Sequence, residues 1–227
     1  KRTCDVILSE SNDYYKDLSP EMREIFVLRL LYFLKHINFS SSNQICLTFE
    51  IKTLVASGFV QLTFGLKRYR LRNFETIHIA HKPYAYKDIG LLYHGDTNPK
   101  MARINLVWKV VEEGFKIPDD SLNLSIHEFS HALILDNKER MTFRKFYRHK
   151  DLIYYLLAAK LEMHRIRKGN DSLFRSYGAT NLMEFFAVSV EVFFEQSKRF
   201  ASDYPILFER LCFLLKQDPR QRNNPRI

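Results

Sequence analysis

The chain has 227 residues, a net charge of +9, 46% hydrophobic and 27% charged residues, and only seven glycines and seven prolines. That make-up excludes collagen-like, low-complexity and linker-dominated chains, and a chain this long can bury most of its apolar surface without staples. Cys4, Cys46 and Cys212 are odd in number, widely spaced and without a CxxC pair, which argues against a disulfide framework or a cysteine zinc site and for a reduced, cytoplasmic setting.

Asp17-Leu18-Ser19-Pro20-Glu21 reads as a helix start, with Ser19 as cap and Pro20 in the first turn. The spacing predicts a helix from Glu21 to His36 and a second from Ile51 to Leu66, with Gly58 as its weak point. Thr76 to His81 alternates like a strand, and the β-branched run Arg103 to Val111, with Trp108, reads as another. After Asp119-Asp120-Ser121 the pattern turns helical. Leu122 to Leu135, Asp151 to Arg167, Leu182 to Gln196 and Tyr204 to Leu215 are the predicted helices. The tail, 217–227, is polar, holds two prolines and is expected to fray. These elements predict an α+β fold in a single domain spanning 1–227.

No apolar run reaches the ~18 residues of a membrane span, and no secretory signal is visible. What precedes Lys1, an anchor included, is left open. Basic residues cluster at Lys67, Arg68, Arg70 and Arg72, at Arg140, Arg144, Lys145, Arg148 and Lys150, and at Arg220, Arg222 and Arg226. No nucleic-acid motif accompanies them, so they read as solvated faces rather than a nucleic-acid surface.

Residues 127–131 read His-Glu-Phe-Ser-His. In an HExxH motif on a helix, His127 and His131 project from one face, one turn apart, and can bind a single zinc. Glu128, to the side, can take a proton from water and hand it to a leaving amine. Ile126, Phe129, Ala132 and Leu133 surround the motif, and burying these polar groups without a metal would be costly. A catalytic zinc needs a third protein ligand and one open position. An acid on a later helix suits it best: Glu184, flanked by Phe185 and Phe186. Glu191, seven residues on and on the same face, is the rival ligand or the acceptor behind an imidazole. Asp136 lies too close on the motif's own helix to swing round. His149 and His164 read as solvated helix histidines.

Leu106-Val107-Trp108, Gly114, His127-Glu128-Phe129-Ser130-His131, Tyr177-Gly178-Ala179, Glu184-Phe185-Phe186-Ala187 and Phe193-Phe194 together resemble the MtfA (Mlc titration factor A) family of zinc-dependent peptidases. The resemblance implies a zincin-like α+β fold with His127, His131 and Glu184 as zinc ligands and Glu128 as general base. It implies that Tyr177 is the phenol that stabilises the oxyanion, and that action on small peptides is aminopeptidase-like. It also brings an alternative function, sequestering a transcriptional repressor. The family motif continues His-Lys-Leu-Asp-Met, whereas Ile134 stands here at the acid's place and Asp136 follows two residues later. The substrate, a peptide or protein, is expected to lie extended along the strand Arg103 to Val111, read as a sheet edge.

Overall fold

A computed structural model of the chain describes residues 1–86, 91–117, 119–138, 148–221 and 223–226. Of the basic residues, Arg140, Arg144, Lys145 and Arg222 lie outside the described residues, as does the His149 side chain. The first half opens with three helices: α1 (Arg2–Ser11), α2 (Asp13–Lys16) and α3 (Pro20–His36). The α3 start follows from its sequence, because the Ser19 side chain accepts from the Met22 N–H and Pro20 enters the first turn without losing a bond. Strand β1 (Asn38–Ser41), helix α4 (Phe49–Thr63) and strand β2 (Thr76–Ala80) follow, then β3 (Gly95–Asn98) and β4 (Arg103–Val107).

The sheet order is β1-β2-β4-β3, with β1, β2 and β4 parallel and β3 antiparallel to β4. Ile77, Ile79, Ile104 and Leu106 point to the helical side and are fully buried. Alternation puts His78, Asn105 and Asp96 on the other face. Strand β4 is paired on both sides, so the segment expected to offer a free edge to substrate has none; the edge belongs to β3. The predicted strand also ends early. Trp108 opens helix α5 (Trp108–Lys116), in which Lys109–Glu113 and Glu112–Lys116 pair on the wet side while Val111 and Gly114 are buried. That helical period outweighs the β-branched composition.

The second half is helical: α6 (Leu124–Lys138), α7 (His149–Arg167), a 3-10 turn at Ser176–Thr180, α8 (Leu182–Glu195), α9 (Ser197–Asp203) and α10 (Pro205–Leu215). Helix α6 packs on α8, on α4 and on strands β3 and β4, which places it at the centre of the molecule. Gly58 is the contact point between α4 and α6. A Cβ there would lie 2.4 Å from Ser125 Oγ, so the residue that weakens the helix by composition is what lets two helices meet.

The tail departs from the expectation of fraying. Gln217 is fully buried: its Nε2 donates to the Gln61 and Leu62 carbonyls at 3.0 and 3.1 Å, and its Oε1 accepts from the Tyr14 hydroxyl at 2.6 Å. The Asp218 N–H donates to the Pro225 carbonyl, and the Ser19 N–H to the Asn223 carbonyl. At the end of α4 the Gln61 carbonyl also accepts from the Phe64 N–H at 3.3 Å, and the Gln217 side chain adds the bond that satisfies the Leu62 carbonyl. Gln217→Ala strands the Leu62 carbonyl and the Tyr14 hydroxyl and is expected to cost about 3 kcal/mol. Thermal denaturation should show it as a Tm lowered by roughly 6–12 °C.

Candidate metal centre

Asn123 builds the start of α6. Its Oδ1 accepts from the Ile126 N–H at 3.2 Å and from Ser125 Oγ at 2.8 Å, while its own N–H donates to Glu191 Oε1 at 2.9 Å. Asn181 does the same for α8, accepting from the Met183 and Glu184 N–H groups at 2.9 and 3.0 Å. Glu184 therefore sits in the first turn of α8, where the positive helix end favours a carboxylate. The packing of α6 on α8 brings the two helices' polar residues together inside an otherwise apolar layer.

His127 Nε2 lies 3.1 Å from His131 Nε2 and 3.2 Å from Glu184 Oε2, and His131 Nε2 lies 3.4 Å from Glu184 Oε1. One ligand atom from each residue falls within 4.8 Å of the others. Two imidazole nitrogens and a carboxylate aimed at one point form a set that a divalent cation satisfies and a packed core does not. The residues thus fit a metal. Burial alone would push Glu184 up, but its hydrogen bonds with His127 and His131 outweigh it and hold the carboxyl far below its usual range. Burial opposes a charge on His127, and the bonds to Glu184 and Glu191 reverse that, raising it to about 10.

The two imidazoles are supported unequally. His127 Nδ1 is 3.0 Å from Glu191 Oε2. Glu191 is 2% exposed, and it also accepts from Arg175 Nη2 at 2.5 Å and from the Asn123 N–H. It stands behind the histidine, where an acceptor fixes the ring's tautomer and direction. His131 Nδ1 is buried with no hydrogen-bond partner among the described residues. Asp136, the acid that follows His131 on the helix, turns away and accepts from the Arg72 and Asn73 N–H groups at 3.1 and 2.8 Å, anchoring the loop before β2.

Glu128 is 5% exposed, and burial raises its carboxyl against the lowering pull of His127 and His131. The Thr97 hydroxyl of β3 is 2.8 Å from Glu128 Oε2 and 2.9 Å from its main-chain oxygen. Gly95, on the same face of β3, makes room: a Cβ there would lie 2.9 Å from Glu128 Oε1 and 2.8 Å from Leu124 Cδ1. Tyr177 is on the 3-10 turn, 56% exposed. Arg167 braces that turn by donating to the Ala179 and Thr180 carbonyls. Partial burial and then the charge of Glu184 and a hydrogen bond to it raise the phenol to about 12, so it keeps its proton at neutral pH. Thr97, Gly95, Asn123 and Arg175 escaped sequence reasoning. Nothing in Gly95-Asp96-Thr97-Asn98 marks a strand beside a glutamate until the sheet is assembled.

The buried helix with its two histidines, faced by an acid from a second helix, forms a group that could hold a metal ion. The chain belongs to the glucose-regulated metallo-peptidase M90 family, whose model matches residues 1–214. It is 30% identical over 146 residues to Mlc titration factor A of Salmonella typhimurium, covering 60% of this chain and 54% of that protein. It is 23% identical over 220 residues to a protein of Synechocystis sp., covering 90% and 80%. The alignment thus spans about half the length of the Salmonella relative.

Proposed function

We propose that the protein is a zinc-dependent, zincin-like peptidase, with His127, His131 and Glu184 as the ligands, Glu128 as general base and Tyr177 as the oxyanion donor. The convergence of the two Nε2 atoms and the Glu184 carboxylate beside buried Glu128 carries this reading. Two nitrogens and one carboxylate suit zinc with a position left open. When bound, the metal would supply the Lewis acid that lowers the pKa of water and polarises a carbonyl. Glu128 takes the proton of the attacking water on its carboxylate, which Thr97 orients, and delivers it to the departing amine. Tyr177, protonated and exposed on its braced turn, donates to the oxygen on which charge develops.

The peptide is assigned to the outer edge of β3. His94 accepts from the Val107 N–H, and Tyr93 pairs outward with Tyr84. Alternation therefore turns the main-chain groups of Gly95 and Thr97 away from β4, unpaired with any strand among the described residues. An extended peptide adding there would pass beside Glu128. Gly95→Ala is expected to displace that carboxylate and slow hydrolysis by about 10- to 100-fold with the helical signal unchanged.

The test is metal analysis of the purified chain combined with hydrolysis of peptides with free and blocked N-termini. About one zinc per chain and turnover abolished by a chelator are expected. No zinc after reconstitution would overturn the proposal. Hydrolysis of free but not blocked peptides would establish the aminopeptidase-like action that the family resemblance implies. The name of the Salmonella relatives, Mlc titration factor A, favours a second reading, binding of a transcriptional regulator. Capture of one stoichiometric partner that persists in Glu128→Gln would support it.

A further inference from the structure

The face of the sheet opposite α6 carries a row of polar side chains in register across all four strands: Ser40, His78, Asn105 and Asp96. Ser40 Oγ is 3.0 Å from His78 Nδ1, and Asn105 Nδ2 donates to Asp96 Oδ1 at 2.9 Å. The Tyr84 and Tyr86 hydroxyls donate to the same Asp96 carboxylate. Three donors therefore saturate the one acid in this row. Above it lies a cavity of about 340 Å³, lined by Arg103, Lys82, His78, Asn105 and the rings of Tyr84 and Tyr86 among others. That volume matches small-molecule sites.

Among the described residues the lining is cationic and contains no carboxylate. Among the described residues Arg103 forms no ion pair, its Nε is buried without a hydrogen-bond partner, and its Nη2 meets only the weak acceptor Met101 Sδ, at 3.8 Å. An unpaired, partly buried guanidinium is a standing cost that an anion removes. Asn105, 2% exposed, adds a polar floor. Burial and then the Arg103 charge lower the His78 pKa, so its ring offers a hydrogen bond rather than a second charge. Tyr84 and Tyr86 stand edge to face at 6.1 Å and are held by Asp96, so they present fixed apolar surface beside the cation.

We propose that this cavity binds a small organic anion, a carboxylate carrying an apolar or aromatic body, with its head on Arg103 and Lys82 and its body against Tyr84 and Tyr86. The site is on the other side of the sheet from the metal centre, and its ligand need not be a substrate. Asp96, which holds the two tyrosines, precedes Thr97, which touches Glu128. A ligand here therefore rests on the same strand that orients the proposed base.

The experiment is a titration of the full chain with benzoate, followed by ligand-observed NMR and calorimetry, with benzamide as the uncharged counterpart and inorganic phosphate as the bare anion. Benzoate should saturate below about 10 mM, and benzamide and phosphate should bind at least tenfold more weakly. Arg103→Met should weaken benzoate at least tenfold, and the exposed Lys82→Ala, which leaves the fold alone, by a few-fold. Benzoate binding should persist in Glu184→Ala, which separates this cavity from the metal centre. No saturation, equal binding of benzoate to wild type and both cavity variants, binding lost only in Glu184→Ala, or phosphate binding as tightly as benzoate would each overturn the proposal.

Discussion

Glu128→Gln is expected to lower peptide hydrolysis by about 10²- to 10⁴-fold while the metal content stays at the wild-type level. The amide is the same size as the acid, so it keeps the place between Thr97 and Leu124 and can still accept the Thr97 hydroxyl that is 2.8 Å from Oε2. It cannot accept a proton from water. Among the described residues the carboxylate forms no ion pair with a lysine or arginine, so removing its charge should not loosen the fold. Steady-state rates beside metal per chain check this. A variant that hydrolyses peptides at the wild-type rate would remove Glu128 from the mechanism and leave the metal-binding reading intact.

Glu184→Ala should have the larger effect on metal. It removes the one anion from the set and leaves two imidazoles, so affinity for zinc should fall by more than the roughly 100-fold that follows loss of a supporting partner. Glu191→Gln gives the comparison. It keeps an acceptor near His127 Nδ1 but gives up the ion pair with Arg175, and a drop of about 10- to 100-fold is expected. Competition titration with a chromophoric chelator reads both variants without reference to activity. Equal affinities for Glu184→Ala and wild type would shift the search for the third ligand to Glu191.

The parts of this molecule that were legible in advance are those set by neighbours in sequence. Ser19-Pro20 announces α3 because a cap and a fixed φ act within one turn. His127-Glu128-Phe129-Ser130-His131 is legible because helix geometry alone puts its histidines on one face. Glu184 is conspicuous as an acid among phenylalanines. The strands β1 and β3, Asn-Phe-Ser-Ser and Gly-Asp-Thr-Asn, carry no such signal. They are strands because β2 and β4 offer them ladders, and pairing is a property of the assembled sheet. The same blindness made β4 look like an edge. Trp108 failed differently: a β-branched run hid an amphipathic helix whose ion pairs at i, i+4 are visible only once the helical period is tried. The polar tail resembled loose chain because nothing local shows that Gln217 meets the last carbonyls of α4.

That last contact has a consequence for how the protein is made. Tyr14 and Gln217 are 203 residues apart in the chain, and Gln61 and Gln217 are 156 apart. The groups around Tyr14 and the end of α4 leave a ribosome well before their partner, which follows 203 and 156 residues later. At ~5–20 residues per second the opening helices wait on the order of ten seconds or more before they can close on it. Until then the Leu62 carbonyl and the Tyr14 hydroxyl wait for the side chain that pairs them. Synthesis of the segment around Gln217, rather than local helix formation, is the event that lets it lock onto α4 and Tyr14.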